Sequence, residues 1–264
     1  NGVGVDTVGN YAFYETGAKT AAGSFIDMKL GELETVGEYS FCRAYGYTAL
    51  SSTKLIAIAE GAFYQTPLNY LNIPNVVYVG DYAFYNGCRM NMALSLPKAE
   101  QVGKYAFSCG IPYIDLPALT DAANLGEGAF SGSALYAADF PNLEGELASK
   151  MFYDSAIRTV NMPKITSVGD MAFYKCDALK ELVLENVVDF NSTLSATVTV
   201  PGVGTSVGSI EKVSMPKCET FNGRIESYYL RSVNLPKCRV IGTIKANNLK
   251  YIYLPSLEYF ERLT

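Results

Sequence analysis

Three groups of residues in this chain have the types that chemistry needs. The first is the phrase VGDYAFYNGC, Val79 to Cys88, which gathers glycines, an acid, two tyrosines and a cysteine within ten residues. The second is the set of six cysteines, Cys42, Cys88, Cys109, Cys176, Cys218 and Cys238, which could bridge, bind a metal or act as nucleophiles. The third is Asp115 and Asp139, two carboxylates that could share acid–base work on a glycosidic bond if the fold holds them close together. Composition limits all three. The 264 residues include no histidine, which removes the side chain best suited to proton transfer near neutral pH and the commonest metal ligand. A net charge of −5 and the lack of any Lys/Arg run argue against nucleic acid as a partner. No window of 18 apolar residues exists, so no helix is expected to span a membrane.

The elements that would position these residues are repeated. The opening phrase recurs as VGNYAFYETG from Val8, VGKYAFSCG from Val102 and VGDMAFYKC from Val168. Aligning the phrases places phenylalanines at Phe13, Phe41, Phe63, Phe84, Phe107, Phe130, Phe152 and Phe173, separated by 21 to 28 residues. Between them runs a second phrase, apolar–x–apolar–Pro: YLNIP at Tyr70, ALSLP at Ala93, YIDLP at Tyr113, AADFP at Ala137 and TVNMP at Thr159. It continues as KVSMP at Lys212, SVNLP at Ser232 and YIYLP at Tyr251, while ELVLE at Glu181 keeps the strand but has Glu185 at the proline position. Gly31 and Thr53 occupy that position in two earlier copies, which makes eleven strand positions. A fixed period of this length is the signature of a solenoid, in which each unit must stack on its neighbours to bury its apolar face.

Each column then has a physical task. Leu71 and Ile73 alternate with Asn72, as in a strand with one buried face. Pro74 ends the strand because it has no N–H for the ladder. Val76 and Val79 point back into the coil, Gly80 lets the chain turn, and Ala83 and Phe84 start the return in a short helical or 3₁₀ turn. The phenylalanine fills the space between coils. On this reading the opening phrase is a repeated corner rather than a site.

The pattern L-x-x-L-x-L-P-x-x-L-x-x-I-G-x-x-A-F-x-x-C, carried clearly from Val8 to Val188, resembles the BspA-like class of leucine-rich repeat; LKELVLENVV and VGDMAFYKCDAL lie close to it. The resemblance implies an α/β repeat solenoid. This would be a right-handed leucine-rich-repeat superhelix with one parallel β-sheet on the concave face and short helical or 3₁₀ turns on the convex face. It also implies a bacterial, secreted or cell-surface protein with a part in adhesion. We expect one solenoid domain over 1–264, with regular Ala-Phe repeats over 1–188, an irregular insertion over 189–211 and shortened repeats over 212–264. The insertion should be an extra strand pair or an extended loop, and the shortened coils should have an extended outer side. The chain starts at Asn1 with no charged-then-apolar leader. We therefore expect that a leader has been removed, that the chain is a piece of a longer protein, and that more protein follows Thr264.

The chemistry-bearing residues read as scaffold in this frame. Cys218 and Cys238 fall in a column held elsewhere by Val76, Ala99, Leu119, Leu143 and Ile165, where cysteine acts as a small hydrophobe. Free buried thiols are the favoured reading, with a Cys218–Cys238 bridge between adjacent coils as the alternative. With no histidine and no C-x-x-C, no metal site and no cofactor site is expected. Asp115 and Asp139 share their column with Asn72, Ser95, Asn161, Ser214 and Asn234, so a solvent-facing polar ladder explains them without catalysis. Asn191-Ser192-Thr193 matches a glycosylation acceptor by accident. Tyr11, Tyr39, Tyr82 and Tyr105 precede the Ala-Phe corner, whereas Tyr14, Tyr64, Tyr85, Tyr153 and Tyr174 follow it; all shield turns. Tyr70, Tyr113, Tyr251 and Tyr253 project from exposed strand positions. Two readings fit these four: a binding surface, since tyrosine favours interfaces, or simple β-propensity. The candidate surface is therefore Tyr70, Asn72, Tyr113, Asp115, Asp139, Asn161, Asn234, Tyr251 and Tyr253. It would hold a protein or glycan partner on the concave sheet without catalysis. The rival functions are an architectural spacer and a glycan-acting enzyme.

Overall fold

The structure is a computed structural model that describes residues 5–17, 32–47, 49–195 and 209–264. The strand position at Gly31 and residues 196–208 of the insertion lie outside the described residues. The chain forms two compact units, residues 1–119 with 124–135, and residues 120–123 with 136–264. Each is a stack of β-coils, and every strand pair in both is parallel.

Ten of the eleven proline-phrase positions are strands. In the first unit Ala49–Ser51 pairs with Tyr70–Asn72, and Leu94–Ser95 pairs with Ile114–Asp115. In the second, Ala137–Asp139 pairs with Thr159–Asn161, and Glu181–Val183, Lys212–Ser214, Ser232–Asn234 and Tyr251–Tyr253 follow in one ladder. Their central residues Leu50, Leu71, Leu94 and Ile114 are buried, as are Leu182, Val213 and Val233. The flanking residues of Tyr70–Asn72 are exposed on both sides. This is the alternation expected of a half-buried strand.

One parallel sheet was expected, but in each unit the proline-phrase strands fall into two sheets and a second column of strands forms a further ladder. In the first unit the second ladder is Thr7–Val8, Thr35–Val36, Ala57–Ile58, Tyr78–Val79 and Gln101–Val102. In each of these two-residue strands the first side chain is exposed and the second buried. In the second unit it comprises Gly145–Leu147, Ile165–Val168, Asp189–Phe190, Thr220–Glu226, Val240–Lys245 and Tyr259–Leu263. Thr193–Ser195, from the insertion, adds to Thr220–Glu226. The long last three strands replace the Ala-Phe corner and give those coils the extended outer side that was expected.

The corner itself is not helical. Among the described residues the one helical segment is the 3₁₀ turn Ala122–Asn124. At the corner, alternate N–H groups donate between coils: Phe41 to Ala62 O at 2.8 Å, Phe63 to Ala83 O at 2.8 Å, Phe84 to Ala106 O at 2.9 Å. The intervening groups close local turns, as Cys42 N to Tyr39 O at 3.2 Å and Ala44 N to Phe41 O at 3.1 Å. Every fourth residue is left-handed, with φ of 48° at Tyr39 and 55° at Arg43, and 54° at Tyr82 and 50° at Asn86. That conformation costs about 1–2 kcal/mol per L-residue and cannot continue a right-handed helix. The inter-coil hydrogen bonds and the ring stacking hold it.

Those rings form the interior file that the spacing implies. Phe13, Phe41, Phe63, Phe84, Phe107 and Phe130 stack with successive centroid separations of 4.9, 5.2, 5.5, 5.4 and 6.0 Å, and planes within 11° of one another. The second unit continues the device with Phe152–Phe173 at 5.7 Å and Phe190–Phe221 at 4.7 Å. Tyrosines cover the corner outside, Tyr11 on Tyr39 and Tyr82 on Tyr105. Where the next coil has Gly61, with φ of 57°, the Tyr39 ring lies across it, and its hydroxyl donates to Glu60 Oε1 at 2.7 Å. That hydrogen bond to a carboxylate, followed by burial, pushes the Tyr39 phenol well up.

Gly80 has a different reason from the turn first assigned to it. Its φ is not left-handed, but an added Cβ would lie 2.7 Å from Glu60 N and 2.8 Å from Ala59 C. It permits close approach between coils.

Candidate functional site

The candidate surface residues stand on the outward face of the proline-phrase strands, divided between the units. In the first unit Tyr70 and Asn72 flank buried Leu71, and Tyr113 and Asp115 flank buried Ile114. Tyr70 is 45% exposed and Tyr113 37%. In the second unit Asp139 lies in register with Asn161, and Asn234 with Tyr253. Tyr251 and Tyr253 share one face of their strand with rings 6.4 Å apart, 51% and 46% exposed.

Hydrogen bonds run sideways along this column. Asn72 Nδ2 donates to Ser51 Oγ at 3.4 Å and Ser95 Oγ to Asp115 Oδ2 at 3.3 Å. In the second unit Asn161 Nδ2 donates to Asp139 Oδ1 at 2.7 Å and Asn234 Nδ2 to Ser214 Oγ at 3.2 Å. Each aspartate thus accepts from an uncharged neighbour within its own unit, which supports the polar-ladder reading. Glu181 and Lys212 add an exposed ion pair of 3.2 Å to the face, of a kind that contributes about 0–1 kcal/mol.

All six cysteines are free and buried. The Cys176 thiol donates to Phe152 O at 3.0 Å, and burial pushes its pKa up to about 12. Cys218 and Cys238 are fully buried in the core column and donate to Thr220 O at 3.3 Å and Val240 O at 3.0 Å. Contact with the Cys238 sulfur, and then burial, pushes the Cys218 thiol up. Burial, and then contact with Cys109, raises Cys88 well above the usual thiol range. Thiols enclosed in this way are poor nucleophiles, because a reagent cannot reach them. The native chain should therefore show no thiol reacting within minutes with a disulfide reagent, and six reacting after unfolding without reductant. A fast native thiol, or a count of four, would contradict this assignment. Among the described residues no three His, Cys, Asp or Glu side chains converge as a metal site, and no helix is long and apolar enough to cross a membrane.

Two grooves escaped the reading of the sequence. Both follow the bend after the proline phrase, where the residues one and three places beyond the proline position project. The first unit has a hollow of about 510 Å³ lined by Glu34, Thr53, Lys54, Ile56, Asn75, Val77 and Lys98. The second has one of about 830 Å³ over the same columns, with Glu144, Lys164, Asn186 and Lys217 in its walls and Asp121 one place farther along. The recurrence of Lys or Asn one place after the proline position, at Lys54, Asn75, Lys98, Asn142, Lys164, Asn186 and Lys217 and broken at Ala118, was the available signal.

The repeat geometry agrees with comparison to known families. The model of the BspA-type leucine-rich repeat region matches residues 3–91 and 100–196, in six copies, which is more than half of the chain. The chain belongs to the BspA-type leucine-rich repeat family. Among solved structures, a leucine-rich repeat protein from Bacteroides ovatus is similar over 88% of this chain and 73% of its own, at 13% identity and a TM-score of 0.29. No curated protein matches. As a BspA-type repeat protein the chain is an interaction-type repeat module, of a family that is in general not catalytic.

Proposed function

We propose that this chain is a recognition module of a bacterial surface protein, exported from the cell, which holds a protein partner on the outward face of its proline-phrase strands. The observation that carries the reading is the exposure of Tyr70, Tyr113, Tyr251 and Tyr253 on strands whose central residues, Ile252 excepted, are buried. These rings are not needed to fill the core, and tyrosine gives much contact area for little lost entropy. The small polar side chains beside them supply hydrogen bonds, and no cofactor takes part. A spacer role is the second reading, favoured by the sideways Asn161–Asp139 and Asn234–Ser214 bonds, which engage polar groups within the sheet.

Sensor-based binding to a panel of purified extracellular-matrix and cell-surface proteins separates the two. On the recognition reading at least one protein binds, and Tyr70→Ala with Tyr113→Ala, or Tyr251→Ala with Tyr253→Ala, weakens it by about tenfold or more. The melting temperature should stay within about 2 °C, because exposed substitutions alter stability by about ±0.5 kcal/mol. A panel that binds nothing supports the spacer, and binding untouched by all four substitutions overturns the strand face as the site.

A further inference from the structure

The 830 Å³ groove of the second unit lies apart from the strand face and is assigned no role by it. Its lining comes from five successive coils: Thr120 and Asp121, then Glu144 and Gly145, Lys164 and Thr166, Asn186 and Val188, and Lys217. Coils of a parallel stack advance by roughly 4.8 Å each, so the groove is roughly 20 Å long. Its floor opens at Gly145, which has φ of 101° and sits at a register shift in the ladder.

Three observations narrow what it could hold. The backbone is already engaged between coils: Glu144 N donates to Thr120 O, and Val188 N to Thr166 O, each at 2.8 Å, and Thr166 O and Val188 O accept from the next coil. A ligand must therefore be read by side chains, which disfavours an added peptide strand. The charge is balanced, with Asp121 and Glu144 against Lys164 and Lys217, and Lys164 Nζ meets Glu144 Oε1 at 2.7 Å. That disfavours a polyanion. Finally, the floor column is more polar here than in the first unit: it carries Thr120, Glu144, Thr166 and Val188, against Glu34, Ile56 and Val77 there.

We infer that this groove binds a neutral, linear oligosaccharide laid across the coils, one sugar to about one coil. A pyranose in an extended β-linked glycan advances by about one coil spacing. Acceptors at Asp121 and Glu144 and donors at Lys164 and Lys217 are spread along the groove's length. Asp121 Oδ1 accepts from Ala123 N at 2.9 Å and Glu144 Oε1 from Lys164, which leaves each a second carboxylate oxygen for hydroxyl groups. Lys217 Nζ donates to Asn186 Oδ1 at 2.5 Å and keeps two further N–H donors. The groove volume suits a small ligand.

The test is calorimetric titration of the full chain with linear hexasaccharides of β-1,4-glucose, β-1,3-glucose, β-1,4-xylose and β-1,4-mannose, beside an oligogalacturonate and a heparin fragment. At least one neutral hexasaccharide should bind. Asp121→Asn, which keeps the acceptor for Ala123 N, and Lys217→Met, which keeps the apolar stem, should each weaken binding several-fold. Thr166→Arg, which fills the groove from an exposed position, should abolish it. Tyr70→Ala and Tyr113→Ala should change nothing here, so failure of the strand-face reading and failure of this one are seen separately. The inference is overturned if no neutral hexasaccharide binds, if only the anionic fragments bind, or if binding survives both Lys217→Met and Thr166→Arg with melting temperatures unchanged.

Discussion

Replacing Phe84 by alanine is expected to destabilise the protein by about 3–5 kcal/mol, the cost of a cavity where a buried ring stood. Phe84 has no solvent exposure and stacks between Phe63 at 5.5 Å and Phe107 at 5.4 Å. Neighbouring coils cannot collapse into the space, because their corner N–H groups are tied to carbonyls of adjacent coils on both sides. Denaturant unfolding would register the loss as a lower midpoint, and thermal unfolding as a fall of roughly 10 °C. Phe13 stacks on Phe41 in the same file but is only half-buried. Phe13→Ala should therefore cost less than half as much. Equal costs for the two, or a cost below about 1 kcal/mol for Phe84→Ala, would show that the rings decorate the corner without filling it.

The second large effect concerns Gly223. An alanine Cβ there would lie 1.9 Å from Ser192 O and 2.9 Å from Ser192 C, both backbone atoms of the neighbouring coil. A side chain in the way could rotate aside, but a backbone carbonyl has no such freedom. Gly242 repeats the arrangement, with its added Cβ 2.3 Å from Gly223 O. These glycines lie where the ladder between Thr220–Glu226 and Val240–Lys245 shifts register. Overpacking costs about 1–3 kcal/mol in side-chain cores, and Gly223→Ala should reach or pass the top of that range. Gly132→Ala is the matched comparison: φ is 64°, yet nothing lies within 4 Å. It should cost only the conformational penalty of about 1–2 kcal/mol. Urea unfolding of both variants checks the order, and a Gly223→Ala no worse than Gly132→Ala would contradict the close approach.

Much of this fold was legible because prolines and phenylalanines punctuate it. A proline that cannot donate marks where each strand of the first ladder stops, and even Glu185 and Thr53 could be placed in that column by counting. The Phe84 file followed from spacing alone. The second ladder did not, because strands such as Tyr78–Val79 are two residues long, too short for alternation to register as a pattern. They looked like part of a turn. The helical corner was wrongly expected because Tyr82 and Tyr105 give no hint of a left-handed backbone. Bulky residues seldom adopt it, and here tertiary hydrogen bonds impose it. The strand-face tyrosines were found because a period of two places them outward. The groove was not, since it depends on long side chains from five coils and on a register shift at Gly145 that no local pattern encodes.

The central claim is that each coil is sealed by its immediate neighbours and by nothing farther off. A pair of double-mutant cycles within the first unit tests it most directly. Phe84→Ala combined with Phe107→Ala removes rings in contact, and Phe41→Ala combined with Phe107→Ala removes rings three coils apart. Nearest-neighbour stacking predicts a coupling of about 0.5–3 kcal/mol in the first cycle and additivity within about 0.5 kcal/mol in the second. Additivity in the first cycle, or equal coupling in both, would contradict it.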